Sequence, residues 1–209
     1  MKSLLTLIIL LISPWALADE SSQATKRIIF LGDSITSGYG LDKSAAYPSL
    51  LENLAKADGF SWSCLNAGLS GDTSAGGTRR APILLRQPVD ILFIALGGND
   101  GLRGIQPEVT AKNLTTIIKQ AKEKQPNMLI VLAGMQMPDN MGDDYTAAFR
   151  EIYPQVAEAE KVHLIPFLLD GVAMEKELNL PDGIHPNAKG HEIIAQQVYQ
   201  QLKTLTQGN

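Results

Sequence analysis

Four short stretches of this 209-residue chain carry side chains suited to acyl transfer. The first is Gly32-Asp33-Ser34, which follows the apolar run Ile28-Ile29-Phe30-Leu31. A serine hydroxyl is a useful nucleophile only when a base takes its proton during attack, and histidine has the matching proton affinity near neutral pH. The chain has three histidines. His163 begins a late apolar run and is expected to be structural, and His191 lies in the last helical pattern, where a partly exposed residue is expected. His185 sits in a loop three residues after Asp182. That spacing lets the carboxylate reach the imidazole Nδ1–H within one turn, setting the tautomer and stabilising the imidazolium.

An oxyanion needs donors. Gly71 has no side chain to block close approach to its backbone N–H, and the Asn99 amide offers a second donor. Each stretch also has a plain local reading. Gly32-Asp33-Ser34 is ordinary strand-to-helix punctuation, Gly71 suits a tight turn, Asn99 can bond its own loop, and Asp182 to Pro186 reads as a turn whose proline opens a helix. Topology decides between these readings.

Arg27 to Leu31 is too short for a helix and too continuously apolar for a half-exposed strand, which indicates a strand covered on both faces. Similar runs recur over Phe60–Asn66, Asp90–Leu96, Met128–Ala133 and Val162–Leu168. Helical patterns fall between them at Ala46–Asp58, Thr78–Arg86, Pro107–Lys124 and Tyr145–Glu160, the last interrupted by Pro154. A weak helix is expected near Val172–Leu178, and a final one carries Ile194, Val198 and Leu202 on one face. Strands alternating with helices predict an α/β fold built on a five-stranded parallel sheet with right-handed crossovers. All strands then end on one edge, where open α/β sheets place their ligand sites. Ser34, Gly71, Asn99 and Met135 each follow a strand and should meet there.

With 44% hydrophobic residues, the chain suffices for one domain, predicted over residues 19–209. Residues 1–18 read as a signal peptide, with basic Lys2, an apolar run from Leu4 to Ile12 and Ala16-Leu17-Ala18 before the cleavage point. The run is too short to span a bilayer, so the expected product is exported, periplasmic where an outer membrane exists, and without a stable membrane anchor. Cys64, the one cysteine, lies in an apolar stretch and reads as a small buried hydrophobe. A net charge of −4 without a basic run argues against nucleic acid as a partner. Asp33 and Asp72 each follow a glycine, Asp100 follows Gly98-Asn99, and all three read as capping or turn residues, so no metal is expected.

Gly32-Asp33-Ser34, Ser70-Gly71-Asp72-Thr73, Gly97-Gly98-Asn99-Asp100 and Asp182-Gly183-Ile184-His185-Pro186 match, in order, the four blocks of the GDSL or SGNH hydrolase family. The chain resembles that family over about Arg27 to Leu205, and within it the exported bacterial thioesterase, arylesterase and lysophospholipase branch. The resemblance implies a three-layer α/β/α, flavodoxin-like sandwich. It implies Ser34 as nucleophile, His185 as base, Asp182 as its orienting acid, and Ser34 N–H, Gly71 N–H and Asn99 as the oxyanion hole, with no cofactor. Ile35 replaces the commonest leucine of the first block. Thr36 stands where the α/β-hydrolase elbow Gly-x-Ser-x-Gly would end in glycine.

The expected activity is hydrolysis of small-molecule carboxylic esters and acyl thioesters by a monomer. Leu102, Ile105, Met135 and Met137, with Met174 nearby, are expected to rim an acyl or aryl site, and Arg103 to meet a charged substrate group or face solvent. Two rivals are a carbohydrate O-acetylesterase, for which an aromatic content of 6% offers few stacking residues beyond Tyr39 and Tyr47, and a non-catalytic binding module on the same scaffold.

Overall fold

The computed structural model describes residues 24–207. The signal-peptide reading of residues 1–18 lies outside the described residues. Five parallel strands form one sheet in the order β2-β1-β3-β4-β5: β1 Lys26–Gly32, β2 Trp62–Gly68, β3 Ile91–Ala95, β4 Leu129–Ala133 and β5 His163–Ile165. Successive side chains of a strand point to opposite faces, and every residue of β3 and the last five of β1 are buried. Both faces are therefore covered at the central strands β1, β3 and β4, as the apolar runs predicted, whereas the edge strands differ: Leu65 of β2 is half-exposed and β5 is only partly buried.

The helices are α1 Ser34–Ser37, α2 Tyr47–Ala57, α3 Ser74–Leu84, α4 Gly98–Leu102, α5 Pro107–Lys124, α6 Asp143–Glu160 and α7 Ala188–Gln207. α2 packs on α7, whereas α3 packs on α5 and α5 on α6, giving an α/β/α sandwich. Phe30 of β1, Phe93 of β3 and Tyr47 of α2 form an aromatic cluster, with ring centroids 5.2 to 6.3 Å apart.

Several boundaries differ from the sequence reading. α3 starts at Ser74 rather than Thr78, because Thr73 Oγ1 accepts the Gly76 N–H at 3.3 Å and caps it. β5 stops at Ile165, where Pro166 follows and has no N–H to extend the ladder. Between Val172 and Leu178 only a 3₁₀ turn, Lys176–Leu178, forms, and Met174 has a positive φ of 66°. Pro154 does not interrupt α6; it and Arg150 are both exposed, so the carbonyl the proline leaves without a donor is open to water.

His191 is a correction of a different kind. It is 1% exposed, not partly exposed, because it continues the Ile194, Val198, Leu202 stripe by one step of three and faces α2. The first N–H groups of a helix lack intrahelical acceptors, and Ala46 provides no side-chain cap for α2. His191 Nδ1 supplies one from across the interface, accepting the Tyr47 N–H at 3.1 Å, with the two rings nearly parallel.

Burial, reinforced by the charge of His185, holds the His191 imidazole down from 6.5 to about 4. Between those values the unfolded chain binds the extra proton. This contribution to stability is therefore complete above about pH 6.5 and lost progressively as pH falls toward 4, by roughly 3 kcal/mol. His191→Gln keeps an acceptor for Tyr47 but cannot titrate. Urea unfolding of both proteins from pH 7 to pH 4 should show wild type losing stability relative to the variant. Parallel curves would contradict this reading.

Candidate active site

Parallel pairing in register brings the strand ends together: Gly32 lies opposite Gly68 on one side and Ala95 on the other. A β-carbon at Gly32 would overlap the Thr36 side chain, so the close turn from β1 into α1 requires glycine. Asp33 caps α1, its Oδ1 accepting the Ile35 N–H at 3.0 Å, which leaves Ser34 as the first helical residue. Tyr47 Oη and Thr36 Oγ1, 3.0 Å apart, fix the same turn to α2.

Ser34 Oγ lies 3.0 Å from His185 Nε2, and His185 Nδ1 lies 2.7 Å from Asp182 Oδ2. The second Asp182 oxygen accepts the Ile184 and His185 N–H groups at 2.9 and 3.0 Å. Those two backbone donors, the His185 one foremost, and the imidazole hold the Asp182 carboxyl down to about 2. The ionised carboxylate accepts a hydrogen bond from Nδ1–H, which leaves Nε2 unprotonated to accept from the Ser34 hydroxyl. The loop is braced by Leu180 N–H donating to His185 O at 2.7 Å, and Asn187 caps α7 behind it. The half-exposed Tyr39 ring lies 4.5 Å from the imidazole. His163 is exposed at the opposite edge of the sheet.

Gly71 has φ +79°, and its N–H meets no acceptor among the described residues. Asn99 sits in α4, where its Nδ2 donates one hydrogen to Asp72 O at 2.9 Å and retains a second. The donors expected from the sequence thus lie on adjoining strand ends, tied to each other.

The three aspartates Asp33, Asp72 and Asp100 have protein partners. Asp33 is 1% exposed, and burial pushes its carboxyl up to about 6 against the pull of the Ile35 N–H and His185. Asp72 accepts from Arg80 and from Thr73 N–H. Asp100, fully buried, accepts from Ser74 N–H at 2.8 Å and Ser74 Oγ at 2.5 Å, joining α3 to α4. Among the described residues no three His, Cys, Asp or Glu side chains converge on a metal position.

Beside the Ser34–His185 pair opens a cavity of about 260 Å³. Leu102, Met135, Met137 and Met174 line it as expected, together with Ile35, Phe167, Leu169, Ala173 and Ile184. Arg103 and Ile105 are not in its wall. Arg103 donates to Gly71 O at 2.9 Å, and the Ile105 carbonyl accepts from Tyr145 Oη at 2.7 Å. The sequence holds no separate signal for Phe167, which continues the fifth apolar run, or for Leu169 just beyond it; β5 ends at Ile165, and the chain after Pro166 carries both into the cavity wall. Arg80 gave no local signal, since its partners lie on β1, β2 and the Asp72 loop.

Similarity to known proteins agrees with this geometry. The chain is 38% identical over 183 residues to an arylesterase of Vibrio mimicus, covering 87% of this chain and 90% of that one. It is 39% identical over 184 residues to thioesterase 1/protease 1/lysophospholipase L1 of Escherichia coli strain K12, covering 87% and 86%. The crystal structure of TesA superimposes with a TM-score of 0.82 at 38% identity, covering 86% of this chain and 99% of that one. Residues 30–193 match the description GDSL-like lipase/acylhydrolase, and the chain belongs to that family.

Proposed function

We propose that this protein is a serine esterase that hydrolyses carboxylic esters and acyl thioesters through an acyl-enzyme on Ser34. The observation that carries the reading is the Asp182–His185–Ser34 relay, whose chain neighbours Ile35 and Ile184 line an apolar cavity. As Ser34 Oγ attacks the carbonyl carbon, its proton passes to His185 Nε2 and Asp182 stabilises the imidazolium. The carbonyl oxygen becomes an oxyanion facing Ser34 N–H, Gly71 N–H and the free Asn99 Nδ2 hydrogen. Collapse expels the alcohol or thiol, which takes the proton from His185. Water, deprotonated by the same imidazole, then attacks the acyl-enzyme and regenerates Ser34.

The aliphatic and thioether wall suits an acyl chain. A sugar O-acetylesterase would want aromatic platforms, and Phe167 is the one aromatic residue of this wall. Export fits the leader-like residues 1–18, and a mature monomer beginning at Asp19 is the product this reading expects.

Hydrolysis of a short aryl ester and a long-chain acyl thioester should both fall in Ser34→Ala, on the order of 10⁴- to 10⁶-fold. Asn99→Ala should lower kcat about 10²–10³-fold with KM little changed, the cost of one oxyanion donor. Survival of both activities in Ser34→Ala would refute the mechanism, and an inert wild type that also resists a covalent serine probe would favour the binding module. Ala173→Trp, which fills the cavity, should lower the long-to-short acyl rate ratio by about tenfold, the worth of roughly two buried methylenes. An unchanged ratio would place the acyl chain elsewhere.

A further inference from the structure

The Arg80 guanidinium is anchored at four points. Nη1 donates to Ala67 O at 2.7 Å, Nη2 to Gly32 O at 3.0 Å and to Asp72 Oδ2 at 2.6 Å, and Nε to Asp72 Oδ2 at 2.8 Å. Each partner has a place in the site. Gly32 O precedes Asp33 and Ser34, Ala67 is the penultimate residue of β2, and Asp72 follows Gly71. The Asp72 carbonyl in turn accepts from Asn99 Nδ2. One planar cation therefore links the nucleophile's strand, its neighbour, and the loop that bears Gly71 and accepts a hydrogen bond from Asn99.

The arrangement depends on a helical glycine. The Asp72 carboxylate lies flat against the start of α3, where a β-carbon at Gly76 would overlap Asp72 Oδ1. Gly76 is buried within the helix and is not in the left-handed region, so nothing in its own backbone requires glycine. What the missing side chain leaves room for is the carboxylate.

We propose that the Arg80–Asp72 pair is a positioning element of the esterase, holding the Gly71 loop and Asn99 in register with Ser34. It rests on the serine-esterase reading above. Neither residue touches substrate; the pair acts through the donors it aligns. A lysine at position 80 keeps the charge but loses the planar fork that reaches three acceptor groups at once.

Gly76→Ala separates positioning from folding. Alanine favours the helix over glycine, which offsets part of what is lost when its β-carbon displaces the Asp72 carboxylate from Arg80, so the variant should still fold, as circular dichroism and a cooperative melt would show, with kinetics read well below its own unfolding temperature. On a short aryl ester, kcat should fall by about 10- to 100-fold with KM within about twofold, and affinity for a trifluoromethyl ketone, whose serine adduct carries an oxyanion, should fall in parallel. Arg80→Lys should show the same split. Arg80→Ala should regain activity with millimolar guanidinium chloride and not with equal sodium chloride. A folded Gly76→Ala or Arg80→Lys with wild-type kcat, or lost kcat with undiminished ketone affinity, would overturn the proposal. Loss of activity in Ser34→Ala alongside full activity in these variants would sink this inference alone, whereas activity surviving in Ser34→Ala would sink the esterase reading beneath it.

Discussion

Parallel pairing in register is the constraint on which the rest depends. Each backbone hydrogen bond between β1 and its neighbours sets Gly32 level with Gly68 and Ala95, so three loops leave the sheet at one height. Ser34 follows the first, Gly71 the second and Asn99 the third. A one-residue slip of any strand would turn its buried side chains to the other face and shift its loop along the edge. The core that resists such a slip, with β3 buried throughout, is thus also what aligns the donors.

Burial at that edge is combined with near-complete polar pairing. Asp33, Asp100 and Ser74 are all buried within a few residues of the site, and each meets a specific donor or acceptor. Unpaired, such groups would each cost on the order of 1–3 kcal/mol; paired, they fix loops that a purely apolar core would leave free to shift. The acid beside the imidazole differs. Asp182 is 39% exposed in its side chain and stays ionised because three donors surround it. Rigid buried pairs frame the oxyanion side, while a more open loop carries the proton relay.

Much of this was legible in the sequence, for identifiable reasons. The five apolar runs are continuous local features, and parallel topology then requires their following loops to meet. His185 and Asp182 are three residues apart, so one turn suffices to pair them. Arg80 could not be read this way, since its acceptors lie between 8 and 48 residues away. His191 was readable, one helical step before Ile194, yet its polarity suggested exposure; the uncapped start of α2 is what gives a buried imidazole a partner. The cavity wall was half legible. Met135 and Met137 follow a strand, whereas Arg103 and Ile105 share a loop with Leu102 but turn to the Gly71 carbonyl and to Tyr145.

The most direct test of the convergent site is a crystal structure of the protein inactivated with an alkyl phosphonate ester. The account predicts a phosphorus–oxygen bond to Ser34 Oγ and the alkyl group in the cavity lined by Met135 and Met137. The phosphoryl oxygen should lie about 3 Å from Ser34 N, Gly71 N and Asn99 Nδ2. An adduct on another residue, or a phosphoryl oxygen turned to solvent with these three donors unengaged, would contradict it.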